Sequence, residues 1–82
     1  MRYWGYEGLR RVAEFIARRA PREVAEFKPS AEASQRAGEL LRREKTVGLT
    51  PEERRELDHY ENLELLMNLA KARARQLLAH RQ

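Results

Sequence analysis

The segment Leu49-Thr50-Pro51-Glu52-Glu53 opens a helical pattern that runs without a break to about Leu78, and no other feature constrains the chain as strongly. Threonine at the N-cap, proline at the first helical position and glutamate at the third satisfy orphan amides and complement the positive end of the helix dipole. From Tyr60 onward Leu63, Met67, Ala70, Ala74 and Leu77 recur at alternating steps of three and four residues, so one seam of this helix requires an apolar partner. A helix of about 28 residues reaches roughly 40 Å at 1.5 Å per residue.

Upstream, Ser30 sits where an N-cap belongs, with Glu32 in the first turn and Ala33, Ala37, Leu40 and Leu41 as the apolar stripe of a helix ending near Lys45. Arg42, Arg43 and Lys45 suit its C-terminus. Thr46 to Leu49 form a short stop in which Gly48 can take a positive φ. A connection this tight predicts an antiparallel helical hairpin over residues 30–78, its second arm the longest helix of the chain. The shorter arm cannot cover the longer one, so the remainder falls to a first helix or to a partner chain.

That first helix is expected near residues 7–19, where Leu9, Val12, Ala13 and Ile16 fall at helical spacing, with Phe15 beside them and Arg10, Arg11, Arg18 and Arg19 mostly opposite. Gly5 and Gly8 make the opening Tyr3-Trp4-Gly5-Tyr6 a poor helix interior. Pro21 interrupts the pattern, and Val24 with Phe27 gives at most two more turns before Lys28-Pro29, so residues 20–29 read as a broken connector. The expectation is one all-α domain over residues 1–82, with an N-terminal amphipathic helix and connector in 1–29 and the hairpin in 30–78.

Eighty-two residues build only a thin core, which makes a homo-oligomer or a partner protein an expectation. The chain has no cysteine, which excludes disulfides, thiolate metal sites and thiol nucleophiles. It has neither a membrane-length apolar stretch nor a signal-peptide pattern, so a cytoplasmic protein is expected. Charged residues reach 37%, arginine far outnumbers lysine and amides are sparse, a thermophile-like balance. The net charge of +4 is mild and its signs alternate, so nucleic acid is permitted without being indicated.

Little in the sequence carries chemistry. His59 lies beside Asp58 and near Glu61, but consecutive helical residues point about 100° apart and no second histidine follows at i+4, so it reads as a surface residue. There is no Gly-rich phosphate loop, no HExxH and no serine elbow, and of the two serines Ser30 is better used as a cap. No enzyme, cofactor or metal is expected. From Leu63 to Ala70 the helix is apolar almost all round, leaving only Glu64 and Asn68 polar. Leu63, Leu66, Met67, Leu69, Ala70 and Ala74 are therefore the expected partner interface, with Trp4 either an aromatic anchor for it or a cap on the core. Lys71, Arg73 and Arg75 could grip phosphates or merely complement the helix dipole. Residues 50–64 carry six acids against two arginines while residues 65–82 carry four basic residues and no acid, which favours antiparallel pairing of two copies.

Phe27-Lys28-Pro29-Ser30, Arg43-Glu44-Lys45, Gly48-Leu49-Thr50-Pro51-Glu52-Glu53, Glu56-Leu57-Asp58-His59-Tyr60 and Leu69-Ala70-Lys71-Ala72-Arg73-Ala74-Arg75 follow one another in the chain. In this order they resemble a family of short, uncharacterised bacterial helical proteins frequent in cyanobacteria. The resemblance spans residues 27–75 and leaves the N-terminal segment unmatched. It implies an antitoxin-like role beside a neighbouring toxin or nuclease. Two expectations follow: an interaction module that inserts an apolar helix face into a groove, and, as the alternative, a nucleic-acid-binding accessory protein using its basic C-terminal helix.

Overall fold

The structure, a computed structural model, describes residues 5–80 as four α-helices, with no strand among the described residues: α1 (Gly5–Arg19), α2 (Pro21–Ala25), α3 (Ala31–Lys45) and α4 (Pro51–Ala79). The all-α class is as the periodicity predicts. The chain divides into two compact units, one made of the residues up to Phe27 together with those from Glu64 onward, the other of Lys28–Leu63. The division falls within α4.

In the first unit α1 begins at Gly5, two residues before the expected start, with φ at 77° for a residue that has no Cβ to resist it. Its apolar stripe delivers Ala13 and Ala17 into a buried cluster with Val24, Ala70 and Ala74, and Ile16, Ala25, Leu66, Met67, Leu69 and Leu77 pack partly against it. Ala20 leaves the helical region at φ −149°, and Pro21, which has no amide to place, takes the first position of α2. The expected broken connector thus contains one helical turn that carries Val24 into the core. Its end is closed by the amide of Phe27 donating to the carbonyl of Val24 at 3.1 Å.

In the second unit the Ser30 hydroxyl accepts from the amide of Ala33 at 3.1 Å and starts α3. Ala37 and Leu40 of α3 and Leu57 of α4 are its buried apolar side chains. Around them Arg36 forks onto both carboxylate oxygens of Glu56 at 2.8 and 3.2 Å, Arg43 reaches Glu53 at 3.2 Å and Arg54 reaches Glu44 at 2.6 Å. Exposed pairs of this kind contribute little each, but three of them between the same two helices favour one register. Between the helices Gly48 takes φ 91° and donates to the carbonyl of Arg43 at 2.7 Å, while the Thr46 hydroxyl donates to that of Arg42 at 3.0 Å. Thr50 and Glu53 then form a reciprocal capping box: the amide of Glu53 donates to Thr50 Oγ1 at 3.1 Å and the amide of Thr50 to Glu53 Oε1 at 3.0 Å. A cap of this kind contributes about 1 kcal/mol.

Candidate interaction surface

Ala70 and Ala74 are 0% exposed. They belong to the chain's own core, in one cluster with Ala13, Ala17 and Val24, and this corrects the expectation that they form a partner interface. The physical reason is the pairing of small residues. Alanines four apart on α1 and on α4 leave no bulk at the contact, so helix axes can approach the short end of the roughly 8–10 Å range. Of the two ways to cover the long helix, the chain itself supplies one. Leu66, Met67 and Leu69 are half-buried against the same cluster, which takes part of their surface and leaves the rest outside.

Two leucines of α4 are exposed, Leu63 at 61% and Leu65 at 40%. Leu65 is absent from the expected interface although it belongs to the same nearly continuous apolar run from Leu63 to Ala70, which is the signal that could have found it. Phe15 is also turned outward, 58% exposed, with the Arg19 guanidinium 4.6 Å from its ring centroid. Trp4, the other expected contact, lies outside the described residues.

The basic run of α4 is not one free patch. Lys71 Nζ donates to the carbonyl of Phe27 at 2.8 Å, and Arg73 donates through Nε to Glu14 at 2.8 Å and through Nη1 to Gln76 at 3.1 Å. Arg75 alone of the three is exposed and without an ion pair among the described residues. Glu14 also pairs with Arg18. The hydrogen bond from Arg73, helped by that from Arg18 and opposed by partial desolvation, holds the Glu14 carboxyl below the usual carboxylate range. Glu53 is held low first by the backbone amide of Thr50, and Glu56 by Arg36.

All three carboxylates therefore bind protons less readily in the folded chain than in the unfolded one. The stability they contribute is complete above the ordinary glutamate pKa of about 4.3 and is lost as pH falls through the lower folded values. Melting temperature followed by circular dichroism from pH 7 downward should fall in that acid window. Glu14→Gln should melt below the wild type at neutral pH and approach it in acid; parallel curves would mean that the Glu14–Arg73 contact is not made.

His59 and His80 are exposed, and among the described residues no group of three histidine, aspartate or glutamate side chains is arranged to hold a metal ion. A shallow open groove on α3 is lined by Glu32, Gln35, Arg36, Glu39 and Arg42, with no buried polar group aimed into it. No helix among the described residues is long and apolar enough to cross a membrane. The exposed surface sets leucine and phenylalanine side chains among paired and unpaired charges. No protein-family model matches the chain, and no curated protein or solved structure matches it.

Proposed function

We propose that this chain is a small protein–protein interaction module of the cytoplasm, self-associating or neutralising a neighbouring toxin or nuclease in the manner of an antitoxin. In this reading residues 30–78 act as the helical hairpin and the outer side of α4 enters a groove of the partner. One observation supports it best. After the core of the first unit has been filled, Leu65 remains exposed and Leu66, Met67 and Leu69 remain partly so. Covering such residues is favourable by about 25 cal/mol per Å² of apolar surface removed from water.

The alternative, a nucleic-acid accessory protein, draws on charge. The first unit holds ten of the seventeen basic residues and five of the thirteen acids, so the net positive charge lies there. Against it, Lys71 and Arg73 already spend hydrogen bonds within the fold. Co-expression with the protein encoded beside it, followed by purification in molar salt, separates the readings. A stoichiometric complex that survives salt, or a chain that self-associates at ordinary salt, either of them lost in Leu65→Asp, is the expected result. Neither kind of association, with duplex DNA bound instead at a log–log salt slope of about −2 to −3, would replace this reading with the alternative.

A further inference from the structure

We infer that the occupant of the outer face of α4 in the first unit is a second copy of the chain, docked with its own α4 antiparallel. This rests on the reading of the chain as an interaction module and names its partner. Glu64, Leu65, Asn68, Ala72 and Arg75 are all exposed and, at 100° per residue, fall within an arc of about 100°, so they share one side of the helix. Ala72 lies about 160° round the helix from both Ala70 and Ala74, at 100° per residue, and so faces away from the buried cluster.

The order of groups along this stripe is its own complement when reversed. An acid stands at one end, a base at the other, and small or uncharged residues lie between. Glu64 and Arg75 are about 16 Å apart along the axis, and neither has an ion pair among the described residues. An antiparallel copy crossing between Asn68 and Ala72 brings each Glu64 within one residue, about 1.5 Å along the axis, of Arg75 of the other chain. It also seats each Asn68 over an Ala72 and covers both Leu65 side chains. The small Ala72 permits the close approach that such a crossing needs. A parallel copy would set Glu64 against Glu64 and Arg75 against Arg75. The antiparallel contact is isologous, so it closes at two chains and uses every interaction twice. A polyanion would suit only the Arg75 end and would meet the Glu64 carboxylate at the other. With one exposed leucine per copy the dimer belongs to the weak, transient class.

Sedimentation equilibrium on the full chain, up to millimolar concentration, tests this with charge exchanges. Glu64→Arg and Arg75→Glu should each weaken the dimer several-fold, and the double exchange should restore it. The chain has no cysteine, so Asn68→Cys and Ala72→Cys chains can be mixed and oxidised without interference. The mixed disulfide should exceed the Asn68→Cys homodimer. A wild type that stays monomeric, single exchanges without effect, or prevailing Asn68→Cys homodimers would each overturn the inference. A monomer that still co-purifies with the neighbouring protein would overturn it while sustaining the interaction reading; a monomer that binds no protein removes both.

Discussion

A Leu57→Ala chain should lose about 2–5 kcal/mol of stability, the cost of the removed side chain's burial plus that of the cavity left behind. Leu57 is 1% exposed, and with Leu40 and Ala37 it makes up the buried apolar side chains of its unit. A small domain lies near the low end of a net stability on the order of 5–15 kcal/mol, so this single change should leave a large unfolded fraction in mild urea. Urea unfolding followed by circular dichroism measures it, with Leu65→Ala as the exposed comparison of the same chemistry. If the two variants shift the midpoint equally, Leu57 is not the core residue of this unit.

Ala74→Leu should be damaging for the opposite reason. Its Cβ lies in a cluster where Ala13, Ala17, Ala70 and Ala74 are all within 2% of complete burial, and three added carbons have nowhere to go. Overpacking of this kind costs typically 1–3 kcal/mol, and here it must push α1 away from α4. The first readout is the melting temperature. The second is local: amides of α1 should exchange faster with solvent, and Arg73 should no longer reach Glu14, whose 2.8 Å contact requires the close approach. Ala72→Leu, two residues away on the exposed side, should leave the monomer's stability nearly unchanged. Equal damage from both would show that the buried face of α4 is not the one bearing Ala70 and Ala74.

The caps and the turn at Gly48 were legible in the sequence because their causes are local. Ser30 reaches the amide of Ala33, Thr50 and Glu53 exchange hydrogen bonds, and Gly48 supplies the positive φ of the turn, all within a few residues. Proline at position 21 stops one helix and starts another by the same short-range logic. The start of α1 was less legible, since Gly5 weakens a helix interior yet serves at its first position, where φ is 77°.

By itself, then, the sequence determined that the chain is helical, where its side-chain caps fall, and that α4 carries a seam through Ala70 and Ala74 in need of burial. Only the tertiary structure decided what buries it. An alanine seam fits a second chain as well as the protein's own α1, and periodicity cannot distinguish them; the choice shows in Glu14 meeting Arg73 across 59 residues of sequence. The same holds for Lys71, which by its sequence either grips a phosphate or complements the helix dipole, and whose contact with the carbonyl of Phe27, 44 residues away, no local pattern shows. Capping energies act over three or four residues and leave their mark in adjacent letters. Burial is settled by which distant surfaces meet, and here that assigns Ala70 and Ala74 to the core and leaves Leu65 in water.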